Sequence, residues 1–428
     1  MKITNTHKFF DTLLLTLLVF SGGGLLFVFN RNLFSVILLL VSLFTIVFMG
    51  REIKKSIFNS SLITLSFFSF LVLINYMIFP KIEIMGSINP NLLNYGFHLM
   101  NITSCVIIFT HFKNNRSSEY FLGRMRYILK IILYFSIINF LAYFFVKSQL
   151  TDLYSSYNND LITKTYNYLF FFHPEKNEFN FFGIGIVRNQ GWFWEPGINQ
   201  IYLNILLYLE GFVFKRGRWT IPLIIFAILT TYSTSGIFIM IIVLFFIFIR
   251  LIKRNRLLIL LAIILSFPLY YIAKLNIEDK TIGEKSSSFQ KRYLDLVQPL
   301  AIASDYPITG VGLDRTYFLK LRSKLQIEDN FGKIIQTYTG FERTSNSTDK
   351  GSSNSLTYLM ASMGFPIAFF IIYCLFKQTL FPYKKKVFML IILISVLSEP
   401  LLLRPFFLIF IVSGMISFFS KFTKLKIN

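Results

Sequence analysis

The chain has 428 residues, of which 54% are hydrophobic, 18% are aromatic and only 15% are charged. Soluble domains carry about 25% charged residues, so this composition excludes an ordinary water-soluble globular protein and indicates a membrane protein. The net charge of +22 is high for so apolar a chain. Taken alone, that charge would suggest nucleic acid or an anionic surface as a partner.

Apolar segments of roughly membrane-spanning length recur along the whole chain. They are continuously apolar and lack the alternation of a lipid-facing strand, which favours helices over a barrel. The predicted fold class is an all-α polytopic membrane protein, a single integral membrane domain over residues 1–428 with about 12 transmembrane helices. The predicted spans are 9–29, 33–49, 61–79, 92–112, 127–146, 197–214, 218–232, 235–250, 257–273, 354–377, 386–398 and 402–420. No A-x-A-like cleavage site follows the first span, so we expect it to be retained.

The distribution of Lys and Arg orients these spans. With the amino terminus in the cytoplasm, the predicted cytoplasmic loops are strongly basic and contain almost no acidic residues, whereas the outer loops are nearly neutral. This asymmetry is the positive-inside pattern, and it predicts that both termini are cytoplasmic. The net charge is then explained by topology, and no nucleic-acid partner is expected.

Two predicted outer segments are too long to be simple turns: 147–196 and 274–353. Long connections of this kind are more often functional than merely connective. The first segment is rich in Tyr, Asn and Phe and ends in the sequence RNQGWFWEPG at 188–197. The second is polar and of mixed charge, and it is expected to form a small folded cap that is helical over 289–303.

The sequence lacks the motifs that several kinds of nucleotide-binding and metal-binding sites require. There is no phosphate-binding P-loop, and Gly310-Val-Gly312 lacks the third glycine of a dinucleotide-binding motif. No D-x-D pair is present to hold a metal and a diphosphate. The two cysteines and four histidines are scattered without metal-ligand spacing, so we expect no cofactor and no metal.

Polar residues concentrate at two predicted outer positions. Glu195 directly precedes a Pro-Gly pair at a predicted helix start, where the helix dipole favours an ionised carboxylate. Trp192 and Trp194 beside it are either an interfacial aromatic belt or a stacking surface for sugars. Glu399 and Arg404 lie on the tight turn between the last two spans, where they either neutralise one another or leave Arg404 to line an outward cavity.

Four arginines on the predicted outer side come into question as ligands: Arg188, Arg292 and Arg315 of the two long segments, and Arg404 of the turn. Arginine stays protonated and can donate two parallel N–H groups to phosphate oxygens, so several around one pocket suit a diphosphate without a metal. Aromatic rings offer flat apolar faces for sugars. This combination on the outer side suggests a lipid-diphosphate-linked sugar as the ligand.

The chain also carries a series of short elements between residue 188 and the carboxyl terminus. They are Arg-x-x-Gly-x-Phe-x-Glu-Pro-Gly at 188–197, Thr-Tyr-Ser-Thr-Ser-Gly at 231–236, the Arg292 region followed by Asp-Tyr-Pro-Ile-Thr-Gly-Val-Gly at 305–312, and Ser-Asn-Ser-Leu at 353–356 with Met-Gly-Phe at 363–365. In this order, with the large loop between predicted spans nine and ten, they resemble the bacterial O-antigen polymerase (Wzy-type) and O-antigen ligase superfamily of polytopic membrane glycosyltransferases.

The resemblance implies a metal-independent transfer of a polyprenyl-diphosphate-linked oligosaccharide onto an acceptor hydroxyl at the outer face of the bacterial cytoplasmic membrane. The chain departs from ligase-like members at two places. It has Ser233-Thr234 where they have Ser-Arg, and Ser353 where they have a histidine. The Glu-Pro-Gly element is more similar to the polymerases, although the Arg-plus-ten-plus-Gly spacing of some polymerases is not kept, since Asn199 and Ala303 occupy those positions.

The sequence therefore predicts a polysaccharide polymerase for O-antigen or capsule. Glu195, Arg188 and Arg292 are the expected catalytic residues, with Glu195 orienting or deprotonating the acceptor hydroxyl and the arginines neutralising the diphosphate. The expected substrate-binding residues are Arg315, Arg404, Trp192, Trp194, Asn354 and Glu399. The expected partners are the lipid-linked donor and acceptor, the bilayer and a chain-length regulator protein. The alternatives are a ligase that uses the same donor, a flippase for the lipid-linked unit, and a membrane scaffold.

Overall fold

The structure is a computed structural model that describes residues 5–48, 52–78, 92–154, 162–173, 178–181, 184–215, 219–252, 287–324 and 351–425. Most of these residues are helical. The α-helices are α1 (Asn5–Phe20), α2 (Leu25–Phe29), α3 (Arg31–Phe48), α4 (Lys55–Ile78), α5 (Leu92–Asn115), α6 (Ser118–Val146), α7 (Pro196–Tyr208), α8 (Thr220–Thr230), α9 (Thr234–Ile252), α10 (Ser287–Asp305), α11 (Arg315–Lys324), α12 (Ser355–Phe376), α13 (Lys385–Ser398) and α14 (Pro405–Leu425). A 3-10 turn at Lys147–Gln149 follows α6, and a π-helix at Leu209–Phe214 continues α7.

Helices overlap each predicted span that the structure describes, and the predicted span 257–273 lies outside the described residues. Within the described part of the chain, five helices are long and apolar enough to cross a membrane: α3, α4, α5, α6 and α12. Shorter apolar helices include α8 and parts of α9 and α14. The chain is thus mostly helical and consistent with an all-α membrane protein. The total of twelve spans stays a prediction.

The first predicted span, 9–29, is wrong as a single helix. Helix α1 ends at Phe20, and the turn before α2 forms an isolated antiparallel bridge between Gly24 and Phe193. The backbone N–H of Leu25 donates to the carbonyl of Trp192 at 2.9 Å. Apolar length alone predicted a continuous helix, but here the backbone groups are satisfied by pairing with the segment before α7, which lets the helix break.

The long segment after α6 contains two small antiparallel sheets that its composition did not reveal. The first sheet has the order β1-β2-β3 and the second is the β4-β5 hairpin. The strands are β1 (Thr151–Tyr154), β2 (Ile162–Tyr166), β3 (Phe170–Phe172), β4 (Glu178–Phe181) and β5 (Ile184–Val187). Asn139 of α6 holds the first sheet, because its amide donates to the Phe171 carbonyl at 3.2 Å and accepts from the Phe171 N–H at 3.0 Å.

The chain divides into two compact units. Unit 1 comprises residues Met1–Leu38, Ser117–Asn276 and Phe381–Ser395. Its centre is α7, which packs against α6, α8 and α9. Every residue of α7 is buried, including its polar ones. This burial is what fixes the direction in which the segment before α7 enters the unit.

Unit 2 comprises residues Leu39–Arg116, Ile277–Leu380 and Val396–Asn428. Helix α14 packs against α4, α5 and α12, and α12 also packs against α10. The helix predicted over 289–303 is confirmed as α10. A core formed by α10, α11 and α12 includes Ile302, Phe318 and Ala361, each 1% exposed or less.

Backbone contacts join the two elements of unit 2 that the resemblance singled out, 305–312 and 363–365. The N–H of Val311 donates to the Ala361 carbonyl at 2.8 Å, and the N–H of Phe365 donates to the Pro307 carbonyl at 2.8 Å. Gly364 has a φ of +75°, and a Cβ on it would lie 2.2 Å from the Ile308 carbonyl oxygen. Only glycine fits this approach. The backbone of Gly364 is not helical, so it breaks α12 at the point where the loop 305–312 packs against it.

Candidate functional site

Glu195 is the N-cap residue of α7 and carries the candidate site of unit 1. Its backbone is extended, with φ −135° and ψ 148°, and Pro196 occupies the first helical position. The N–H groups of Ile198 and Asn199 donate to the Glu195 carbonyl at 3.0 and 3.2 Å. The carboxylate is exposed and makes no capping hydrogen bond. The proline and the cap geometry therefore place an accessible carboxylate at the positive end of a buried helix.

Arg188 lies half-buried at the beginning of the same segment. Its Nε donates to the Thr231 carbonyl at 3.0 Å. The next residue, Asn189, donates its backbone N–H to the Thr230 carbonyl at 2.9 Å and its side-chain amide to the Ser136 carbonyl at 2.9 Å. The structure thus brings together two elements of the resemblance that are far apart in sequence, 188–197 and 231–236.

The two tryptophans are held by aromatic packing in unit 1. Trp192 stacks on Phe135, with ring centroids 3.9 Å apart and an angle of 16° between the planes. Trp194 meets Phe29 and His173 edge-on, at centroid distances of 6.1 and 5.9 Å. Both indoles are half-buried. Phe20 also lies against Trp192, with ring centroids 5.8 Å apart. Sugar stacking stays a prediction for both tryptophans.

In unit 2 the predicted residues gather around the start of α12. Asn354 is its N-cap, and the side-chain oxygen accepts from the N–H groups of Leu356 and Thr357 at 3.1 and 3.2 Å. This contact satisfies N–H groups at the helix terminus. Asn354 is also 4% exposed. The predicted ligand contact of Asn354 can thus use only its amide N–H groups, because its oxygen is already occupied.

The turn that carries Glu399 and Arg404 is attached to the same point. The hydroxyl of Ser355 donates to the Glu399 carbonyl at 2.6 Å and accepts from the N–H of Leu401 at 2.8 Å. Glu399 is 7% exposed and Arg404 is half-buried. The hydroxyl therefore ties the turn between α13 and α14 to the beginning of α12.

Arg315 is the first residue of α11, and its guanidinium lies directly over Gly351. A Cβ added to Gly351 would stand 1.7 Å from Nη2 of Arg315 and 2.5 Å from its Cζ. Only a residue without a side chain leaves room for this position of the guanidinium. By contrast, Arg292 is exposed on α10, and no ion pair of its side chain is found within the described part of the chain.

A buried ion pair that the sequence did not single out supports this arrangement. Nη2 of Arg322 donates to Oδ1 of Asp295 at 2.6 Å, and its Nε donates to the side-chain oxygen of Gln298 at 2.6 Å. Arg322 is 0% exposed. The second oxygen of Asp295 accepts from the N–H of Ser353 at 2.9 Å and from its hydroxyl. Asp295 and Arg322 thus join α10 and α11 to the residues that begin α12.

A signal for Asp295 exists in the sequence. Asp295 and Gln298 share a helical spacing with Ile302, which is 1% exposed, so the two polar residues lie on the buried face of α10. Polar residues on an apolar face are rarely placed there without a partner. The partner itself, Arg322, is on another helix and was not predictable from spacing alone.

Two tyrosines near this network have shifted pKa values. Burial, together with the Asp305 carboxylate, raises the pKa of Tyr306. Burial and the neighbouring Tyr306 raise the pKa of Tyr317. Both phenols therefore remain protonated at neutral pH and can only act as neutral hydrogen-bonding groups.

Within the described residues, no group of three or more His, Cys, Asp or Glu side chains is arranged to hold a metal ion.

The predicted site residues are found in two sets. Unit 1 holds Arg188, Trp192, Trp194 and Glu195, and unit 2 holds Arg292, Arg315, Asn354, Glu399 and Arg404.

These features define a mostly helical membrane protein with charged and aromatic residues concentrated at helix starts. Residues 219–372 match the family model described as O-antigen ligase. This match confirms the resemblance to the superfamily of O-antigen ligases and polymerases. No curated protein and no solved structure matches the chain.

Proposed function

We propose that the protein is a polysaccharide polymerase that joins polyprenyl-diphosphate-linked oligosaccharide repeat units at the outer face of a bacterial cytoplasmic membrane. The observation that carries the proposal is the accessible carboxylate of Glu195 at the start of α7, in the same segment as Arg188 and two half-buried indoles. The O-antigen ligase match at 219–372 supports the same reaction class.

In the proposed reaction, a hydroxyl of the incoming repeat unit attacks the anomeric carbon of the growing glycan. A new glycosidic C–O bond forms, and the bond between that carbon and the carrier phosphate breaks. The polyprenyl diphosphate leaves with the electron pair, and Glu195 accepts the hydroxyl proton. A general base of this kind must lie within hydrogen-bond reach of the hydroxyl, which an exposed N-cap carboxylate permits.

The residues proposed to bind diphosphate are Arg188, Arg315 and Arg404. Their charge would stabilise the negative charge that develops on the leaving diphosphate, and this stabilisation requires no metal. Arg292, which is exposed, is also proposed to stabilise the negative charge of the diphosphate. Trp192 and Trp194 would contact sugar rings.

A ligase that moves a finished glycan from the same donor is the second candidate, and the O-antigen ligase description of the matching family favours it. The flippase alternative has less support. It needs charged groups available within the spans, but the Glu210 carboxylate of unit 1 is already ion-paired with Arg126 at 2.8 Å and with Lys130 at 3.3 Å. A scaffold would give no role to the accessible Glu195.

A deletion strain separates these functions. We expect the strain to display single repeat units attached to its surface acceptor, with no long glycan, and the wild-type chain supplied in trans to restore long glycan. Accumulation of long lipid-linked glycan that is never attached would instead identify a ligase. Repeat units retained on the cytoplasmic side would identify a flippase and contradict both glycosyltransferase assignments.

Replacing Arg188 by lysine tests whether the planar guanidinium is needed. In the wild type, Nε of Arg188 donates to the Thr231 carbonyl, which leaves the two Nη groups for phosphate. Lysine keeps the positive charge, but its single ammonium group cannot make both contacts in this geometry. We expect glycan length and the rate of transfer to fall about tenfold, with the amount of folded protein unchanged. Transfer at the wild-type rate in R188K would show that a point charge is sufficient.

Replacing Gly351 by alanine displaces the Arg315 guanidinium without removing its charge. The added methyl group occupies the position of Nη2, and the flexible arginine side chain must move. We expect a several-fold loss of transfer with an unchanged unfolding temperature. Gly123 on α6 is the matched control, because a Cβ there meets nothing within 4 Å. Equal transfer in G351A and G123A would show that the position of Arg315 is unimportant.

A further inference from the structure

Unit 1 has a pocket whose lining residues do not belong to the candidate site. It is lined by Phe212 and Lys215 at the end of the π-helix and by Tyr383 and Lys384 before α13. Its volume is about 480 Å³, within the usual range for small-molecule sites. The hydroxyl of Tyr208 donates to the Tyr383 carbonyl and holds the two walls together.

Both pocket lysines have an unusual backbone conformation. Lys215 has a φ of +53° and Lys384 a φ of +41°, in the left-handed region that residues with a side chain seldom adopt. The N–H of Lys215 donates to the Glu210 carbonyl at 3.0 Å and closes the π-helix. Strain of this kind persists only where the surrounding structure enforces it, and it is concentrated at functional sites.

Two of the four residues that line the pocket are positively charged. Lys215 and Lys384 are exposed, and in the described part of the chain neither ammonium group pairs with a carboxylate. The Glu210 carboxylate already forms ion pairs with Arg126 and Lys130, and these three side chains together carry a net charge of +1. Another carboxylate, that of Glu119, accepts from the Tyr383 hydroxyl at 3.5 Å.

The surroundings favour a lipid over a soluble anion. Two lysines and two aromatic residues line the pocket, whose wall is mostly apolar. An apolar wall suits the start of an acyl chain, and the two exposed lysines suit a charged headgroup. The loops after Phe214 and before α13 are also the ones that the sequence predicts to lie on the cytoplasmic side. Basic pockets between helices on that side suit the headgroups of anionic lipids.

We propose that this pocket binds one anionic phospholipid of the cytoplasmic leaflet, with its phosphate between Lys215 and Lys384 and its glycerol and acyl start against Phe212 and Tyr383. The bound lipid would anchor the end of the π-helix to the beginning of α13. This binding is independent of glycan transfer at the outer face.

Native mass spectrometry of the purified full-length protein tests the proposal, with phosphatidylglycerol and phosphatidylcholine titrated in parallel. We expect one phosphatidylglycerol to bind at least tenfold more tightly than phosphatidylcholine. The K215N/K384N variant removes both charges and keeps residues that tolerate the left-handed conformation, and it should lose this preference. K113N/K421N removes two exposed lysines at the ends of α5 and α14 and should keep it, and K215R/K384R should restore it.

Three outcomes would overturn the assignment. The first is an undiminished preference in K215N/K384N with a normal size-exclusion profile. The second is an equal loss in K113N/K421N, which would mean that only overall surface charge matters. The third is displacement of the lipid by inorganic phosphate at matched ionic strength and comparable concentration, which would identify a soluble phosphate as the ligand.

Discussion

Glycan transfer is expected to fall by about 10²–10⁴-fold when Glu195 is replaced by glutamine, the range by which a positioned general base accelerates a reaction. Glutamine keeps the size of the side chain and its place before Pro196, so the start of α7 should be unaltered. It cannot accept the proton of the acceptor hydroxyl. The measurement is the rate of chain extension at equal amounts of folded membrane protein.

The matched control for this prediction is Glu52→Gln. Glu52 is an exposed carboxylate ahead of α4, and its backbone carbonyl, which the substitution leaves in place, accepts from Asn114 at 3.1 Å. We expect E52Q to extend glycan at the wild-type rate. Full-length glycan made by E195Q at an undiminished rate would remove Glu195 from the reaction and leave the proposed mechanism without a base.

The second large effect concerns stability. Replacing Arg322 by methionine leaves the Asp295 carboxylate buried without its cation, and breaking a buried ion pair in this way costs about 3–5 kcal/mol. The loss should release the start of α12, because Asp295 also binds the N–H and hydroxyl of Ser353. We expect a markedly lower unfolding temperature in detergent and little folded protein in the membrane.

A double substitution separates lost charge from lost packing. In D295N/R322M no uncompensated charge is buried, so we expect this variant to recover part of the stability that R322M loses. Asp305→Asn at the exposed end of α10 is the control and should unfold at the wild-type temperature. An R322M variant that unfolds at the wild-type temperature would show that the pair does not hold α10, α11 and α12 together.

The start of α7 shows what the sequence can predict. Pro196 and Gly197 after a carboxylate are a local signal, and the structure places the helix start there with Glu195 as its N-cap. The helical class and the helix α10 also follow from local apolar pattern. Such features depend on neighbours within a few residues, so a single sequence is enough to locate them.

Features that depend on distant partners were missed. The break after α1 exists because the turn pairs with Phe193, and the strands of the segment after α6 form against one another and Asn139. Arg322 was not singled out in the sequence, and the structure places it, fully buried, against Asp295. The spacing within one helix or strand does not identify these partners, because each contact joins residues that are distant in the sequence.

The most direct measurement uses the purified full-length protein in proteoliposomes with a polyprenyl-diphosphate-linked repeat unit as the only substrate. We expect glycan to lengthen in steps of one repeat unit, with one polyprenyl diphosphate released for each step, and we expect neither change with E195Q. Movement of the intact lipid-linked unit across the bilayer, with no new glycosidic bond and no diphosphate released, would contradict the proposed function.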